Sequence, residues 1–233
     1  MALCGLDTTR ETLSLRESSL AGTLPSVASL QFLHPHSRSP TGFAAAWLTG
    51  FVVQAGPAKY IVSAAHFEAR SHSFVGRFLG QGLSSPLTLA LRQFDDARRK
   101  DVAIFSVDDP SVAAALAPAV VAPDEHFSVG DEAYIVGYPY IDVLRDYYKV
   151  HEPIQIVKKG VVSAKIARTA DRSPLVLLDA IWDQGMSGGP VIHATTGHVI
   201  GVVSSRPIVQ GQMVEFITCP SGDQILEALS AVS

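Results

Sequence analysis

The sequence predicts an all-β protein of two six-stranded antiparallel units closed by a short C-terminal helix. Three observations predict it. Short apolar or alternating runs recur along the chain, broken by Gly, Pro, Ser and Asp, which is the pattern of antiparallel strands rather than helices. These runs form two sets of six on either side of residues 108–125, a linker-like stretch rich in Ala and Pro and without aromatics. After Ser221 the period changes: Gln224 stands at capping-box spacing, and Ile225, Leu226 and Leu229 recur at helical intervals.

Taken in order, the first set of strands is expected at 27–33, 50–54, 60–63, 74–79, 87–91 and 102–107. The second is expected at 133–136, 154–162, 176–179, 190–193, 199–204 and 213–217. β-Branched and aromatic side chains dominate these runs, as a pleated, half-buried surface favours. The chain therefore divides into an N-terminal arm (1–25), a first unit (26–115) and a second unit carrying the helix (116–233). Residues 8–20 could form an arm or a subunit contact. Residues 141–149, with Asp142, Arg145, Asp146, Tyr147 and Tyr148, are expected as a surface loop, with a short helix or a flap as the alternatives.

Composition excludes several classes. With 233 residues, 47% hydrophobic and 17% charged, the chain buries a substantial core and is not a disordered polymer. Its net charge of −4 offers no general attraction to nucleic acid or to anionic membranes. No run reaches the roughly 18 apolar residues needed to span a bilayer. Asp7, Arg10, Glu11, Arg16 and Glu17 interrupt the region where an export signal would need an apolar core, so a cytoplasmic protein is expected. Cys4 and Cys219 lie near opposite ends, so one bridge is arithmetically possible but no disulfide framework is present, and reduced thiols are the simpler expectation. His34 and His36 flank a proline, and His193 and His198 bracket a turn. Neither pair has ligand spacing, so no metal or other cofactor is expected.

The chemistry concentrates at Gly185-Met186-Ser187-Gly188-Gly189-Pro190. A serine between glycines at a turn is placed to attack. The glycine two positions earlier lets amide N–H groups face a reacting carbonyl, and Gly188 and Gly189 are expected to leave room for substrate. A serine hydroxyl needs a base and a group that orients the base. His66 follows the β-branched run Tyr60-Ile61-Val62-Ser63 and two alanines, at a strand exit. Asp101 opens the apolar run Val102-Ala103-Ile104-Phe105. Among Asp95, Asp96, Asp101, Asp108 and Asp109, only Asp101 directly precedes such a run.

Ala64-Ala65-His66, Asp101-Val102-Ala103 and the serine string stand in the order His, Asp, Ser used by chymotrypsin-fold serine proteases. The chain resembles most closely the HtrA or Deg-type trypsin-like peptidases. Thr49-Gly50-Phe51-Val52-Val53, Val129-Gly130-Asp131, Gly137-Tyr138-Pro139 and Gly160-Val161-Val162-Ser163 also fall where that family has similar strings. The resemblance covers about residues 25–230 and implies two Greek-key β-barrels with a cleft between them. It implies His66 as base, Asp101 as orienter, Ser187 as nucleophile, and the N–H groups of Gly185 and Ser187 as the oxyanion hole. It also implies a pocket lined by Ile181, Trp182, Ser204, Ser205 and Arg206. Uncharged Ile181 at its floor and bulky Trp182 then imply cleavage after small or medium apolar residues, with Arg206 leaving an acidic preference open.

Two departures matter. Met186 replaces the aspartate that, in digestive relatives, pairs with a new N-terminus after zymogen cleavage. Contacts from neighbouring loops, triggered by a protein partner or substrate, are therefore expected to order the oxyanion turn. HtrA-like enzymes also carry a PDZ domain after the protease barrels, and none is expected here.

G-x-S-x-G is equally the nucleophile elbow of α/β-hydrolases, whose order is Ser, acid, His. Here no aspartate lies between Ser187 and His193 or His198, and no βαβα alternation exists. The remaining alternative is a catalytically inactive pseudoprotease that keeps the barrels as a peptide-binding or scaffolding module.

Overall fold

The computed structural model describes residues 20–35, 43–67, 73–149 and 152–233. Cys4, His36 and nearly all of the 1–25 arm lie outside these residues, as do the side chains of His34 and Arg145. The first six strands are β1 (Val27–Pro35), β2 (Phe43–Ala55), β3 (Ala58–Ser63), β4 (Ser73–Phe78), β5 (Leu83–Asp95) and β6 (Lys100–Val107). They pair antiparallel in the order β1-β2-β3-β6-β5-β4 and close into a barrel through β4 and β1.

The second unit uses β7 (Glu132–Gly137), β8 (Ile156–Ile166), β9 (Leu175–Asp179), β10 (Pro190–His193), β11 (Val199–Val202) and β14 (Phe216–Pro220). Their order is β11-β10-β7-β8-β9-β14, and bridges Gly201↔Ser221 and Ser205↔Thr218 bring the edges nearly to closure. A small hairpin, β12 (Ile208–Val209) with β13 (Gln212–Met213), precedes β14. The expected strand at 213–217 is therefore two pieces, and β2 extends well before the expected 50–54. The alanines at 44–46 hid that extension, because Ala has little β preference.

Three apolar clusters hold the fold. Leu30, Val52, Ile61, Phe78 and Phe105 fill the first barrel. Ile135, Val162, Leu178, Met186, Val191 and Ile217 fill the second. A third lies between them, where Val27, Phe51, Val62 and Ile104 meet Val136, Tyr138, Ile192 and Val202. Each fully buried side chain of this size contributes about 1.5–3 kcal/mol. Phe51-Val52-Val53 is a continuous apolar run because β2 is buried on both faces: Val52 points into its barrel, Phe51 and Val53 at the other one.

The linker is more structured than expected. Helix α1 (Pro110–Ala115) is capped by Asp109, which accepts from the N–H groups of Ser111 and Val112. Ala119 N–H then donates to Val52 O (2.8 Å) and Ala122 N–H to Val199 O (2.8 Å), tying the crossing strand to both barrels. Of the readings for residues 141–149, the short helix holds in place of the expected surface loop: Ile141–Tyr148 forms helix α2. The C-terminal helix α3 (Gly222–Ser230) packs Ile225, Ala228 and Leu229 into the inter-barrel cluster. Its N-terminus is not closed by the expected Ser221–Gln224 box. Ser221 makes no side-chain cap bond, and Asp124 and Asp223 instead exchange N–H to Oδ1 bonds of 3.1 and 3.3 Å. Partial burial there raises the Asp124 carboxyl above its usual range.

Candidate active site

Antiparallel pairing brings the first two site residues together. β3 pairs with β6 through Ser63↔Ala103, so His66, three residues beyond Ser63, and Asp101, two before Ala103, lie at the same end of neighbouring strands. The two side chains bond directly: His66 Nδ1 lies 2.6 Å from Asp101 Oδ2. Asp101 is 5% exposed and accepts two further bonds, from Ala65 N–H at Oδ1 (2.6 Å) and from Ser204 Oγ at Oδ2 (2.5 Å). A carboxylate can only accept, so the imidazole carries its proton on Nδ1 and leaves the Nε2 lone pair free. Among the described residues Nε2 has no partner, and the His66 side chain is 31% exposed toward the cleft.

Arg92 of β5, unremarked in the sequence, straddles this histidine. Its Nε donates to Ala65 O (2.9 Å), its Nη2 to Phe67 O (2.8 Å), and its guanidinium lies 4.6 Å from the centre of the Phe67 ring. The carbonyls on both sides of His66 are thus held by one rigid fork.

Ser187 sits in the turn leading to β10 and is buried. His66, Ser187, Gly185, Trp182, Ser204 and Ser205 line one cleft of about 470 Å³, closed on its other side by Trp47 and Phe67. Ser187 Oγ donates to the Ser204 carbonyl (3.1 Å). Ser204 therefore touches both Asp101 and Ser187, a bridging position beyond the pocket-lining role expected of it. Trp182 and Ser205 line the cleft with it. Ile181 does not: it is 69% exposed and lies outside the cleft lining, as does Arg206.

The peptide groups around Ser187 are aimed from behind. In a trans peptide, C=O and N–H point in opposite directions, and the described residues contain no cis bonds. Gln184 O accepts from Tyr140 N–H (3.2 Å) and Met186 O from Gly189 N–H (2.9 Å). The N–H groups on the opposite faces of those peptides are those of Gly185 and Ser187, and neither donates to an acceptor among the described residues. Together they form a pair of unclaimed donors suited to an oxyanion.

Thr49 of β2 orders the same turn from the first barrel. Its N–H donates to Ser187 O (2.8 Å) and its Oγ1 to Gly185 O (2.7 Å), while Oγ1 also accepts from Tyr138 N–H (3.0 Å). Met186 is fully buried in the second barrel's core, where its apolar side chain anchors the turn. Neighbouring elements thus hold the turn without an ion pair at position 186.

Two glycines are sterically obligatory. Gly185 has φ +99°, and a Cβ there would meet Tyr138 O at 2.6 Å. Gly188, at φ +84°, packs against the backbone of β2 rather than leaving room for substrate. Outside the cleft, His193 is occupied structurally, with Nδ1 3.0 Å from Thr196 Oγ1 and Nε2 3.3 Å from Asp131.

Two antiparallel six-stranded barrels with an Asp–His pair and a glycine-flanked serine at their junction define the trypsin-like peptidase class. Residues 48–202, more than half of the chain, match the trypsin-like peptidase domain, and the chain belongs to that family. No curated protein matches the sequence. Among solved structures, the HtrA-type protease AlgW with a tripeptide is 17% identical with a TM-score of 0.69, over 93% of this chain and 63% of that one. This chain therefore spans less than two thirds of that protein's length. Rv3671c protease from M. tuberculosis in its active form is 21% identical with a TM-score of 0.67, over 94% of this chain and 86% of that one. Its inactive form gives a TM-score of 0.64 at the same identity. These neighbours share the fold. No helix among the described residues is long and apolar enough to cross a membrane.

Proposed function

We propose that this trypsin-like peptidase is a serine endopeptidase working through Ser187, His66 and Asp101. The observation that carries the proposal is the buried Asp101 bonded to His66 Nδ1, with a free Nε2 opening into the cleft that holds Ser187. Ser187 Oγ attacks a peptide carbonyl as His66 Nε2 takes its proton. Asp101 holds the tautomer and stabilises the imidazolium, and the N–H groups of Gly185 and Ser187 receive the oxyanion. His66 then protonates the leaving amine, and water releases the acyl-enzyme.

The competing reading, a peptide-binding scaffold without turnover, is favoured by one observation: Ser187 Oγ is bonded to Ser204 O and not to His66. A fluorophosphonate probe separates the two. Wild-type protein is expected to label and Ser187→Ala to remain unlabelled. No labelling of wild type, with or without peptide or candidate partners, would leave the scaffold reading.

The same proposal places cleavage after small or medium apolar residues, since Trp182 occupies the cleft wall and no Lys, Arg, Asp or Glu among the described residues lines the cleft. Profiling on a peptide library is expected to show this preference, and cleavage mainly after Lys or Arg would overturn it. A protein or peptide is the substrate, and an activating protein partner, with neither nucleic acid nor membrane, belongs to the proposal. So does a cytoplasmic location.

A further inference from the structure

The Gly185 N–H owes its direction to a contact outside the cleft. The Gln184–Gly185 peptide is held by the Tyr140 N–H, and Tyr140 adopts φ +51°, a left-handed conformation that a bulky residue adopts only under constraint. Two contacts supply the constraint. Tyr140 O accepts from Leu144 N–H (2.9 Å), which makes residue 140 the first link of α2. The Tyr140 phenol donates to Asp183 Oδ1 (3.2 Å). Asp183 is in turn paired with Lys158 of β8, and its carbonyl accepts from Met186 N–H (3.1 Å). Lys158, Asp183 and Tyr140 thus form a chain from the second barrel to the back of the oxyanion peptide. The negative charge of Asp183 also holds the phenol above its usual range.

We infer that Tyr140 is a positioning residue for the oxyanion site: its phenol, held by Asp183, fixes the backbone conformation that aims the Gly185 N–H into the cleft. The inference rests on the reading of Ser187 as a nucleophile. It assigns Tyr140 no contact with substrate. Its loss therefore acts on transition-state stabilisation and leaves ground-state binding intact.

The test uses the full chain. Tyr140→Phe keeps the ring and loses the phenol. It is expected to lower kcat on a peptide amide about tenfold with KM changed less than about twofold, because one oxyanion donor is misaimed but not removed. Affinity for a peptide boronate, whose hydroxyl occupies the oxyanion position, is expected to fall by the same factor while Tm stays within about 2 °C. Asp183→Ala is expected to reproduce the loss, the double variant to add little, and Asp183→Asn, which keeps an oxygen acceptor, to recover most of it. Unchanged kcat and boronate affinity, or a loss that follows Tm, would overturn the assignment. Crystal structures of wild type and Tyr140→Phe read the peptide without turnover: a rotated Gln184–Gly185 peptide in the variant supports the inference, and an unmoved one overturns it. Failure of wild type to label with a fluorophosphonate would sink the peptidase reading and leave this comparison to judge Tyr140.

Discussion

Asp101→Asn is expected to lower kcat about 10⁴-fold while the protein still folds. Asp101 now accepts three bonds, from Ala65 N–H, His66 Nδ1 and Ser204 Oγ. An asparagine offers one oxygen and one NH₂ group. Turning the NH₂ toward Ala65 N–H would set two donors against each other, at a cost of about 1–3 kcal/mol. The oxygen therefore stays with Ala65, and the NH₂ faces His66 Nδ1. The imidazole must then accept at Nδ1 and carry its proton on Nε2, where it can no longer take the proton of Ser187. Ser204 adapts by rotating its hydroxyl, so the structural damage is small. Steady-state kinetics on a peptide amide, with the His66 tautomer read by ¹⁵N NMR, checks both halves. A kcat within tenfold of wild type would remove Asp101 from this role, and Asp95, Asp96, Asp108 and Asp109 would be next to test.

Gly188→Ala is expected to destabilise the fold by more than about 4 kcal/mol, enough to abolish cooperative folding or soluble expression. The added Cβ would stand 2.1 Å from Ser63 Oγ, 2.1 Å from Thr49 O and 2.8 Å from Ala64 N. Two of these atoms are backbone, and Ser63 Oγ is itself committed to Thr49 O (2.6 Å), so none can yield without opening the junction of the two barrels. Gly82→Ala separates this clash from conformational strain. Gly82 has φ +64° but nothing within 4 Å, so only the left-handed penalty of about 1–2 kcal/mol applies. Urea unfolding of both variants measures the difference. Values within about 1 kcal/mol of each other would mean that the junction tolerates the methyl group after all.

The parts of the fold and site readable along the chain share a physical character. Nine of the expected strand runs overlap one strand closely, because a half-buried strand writes its period into consecutive residues, whereas 87–91, like 50–54, covers only part of a strand that runs from Leu83 to Asp95. His66 and Asp101, which bond to each other, and Ser187, which lines one cleft with His66, each stand beside a local sequence signal: a strand exit, the mouth of an apolar run and a glycine turn. Helix α2 was legible only as an alternative to a loop, since among its described side chains only Ile141 is deeply buried and eight residues are too few to announce a helix by propensity alone. The α3 cap was misread for the opposite reason: Ser221 and Gln224 have the right spacing, but the bonds went to Asp124, distant in the sequence. Ile181 illustrates the same limit. A pocket wall is a matter of which way a loop turns, and this one turns Ile181 outward.

From its residues alone this protein determined its class, most of its strands and the order in which His66, Asp101 and Ser187 follow one another, because those depend on local periodicity and side-chain chemistry. Only the tertiary structure decided what aims them. Arg92 brackets His66 across strand β5, Thr49 reaches the serine turn from the other barrel, and Tyr140 holds the Gln184 carbonyl from the turn before α2. Each of these is a hydrogen bond between segments far apart in the chain. Its geometry is set by register and barrel closure, which leave no periodic trace around the residues that use them.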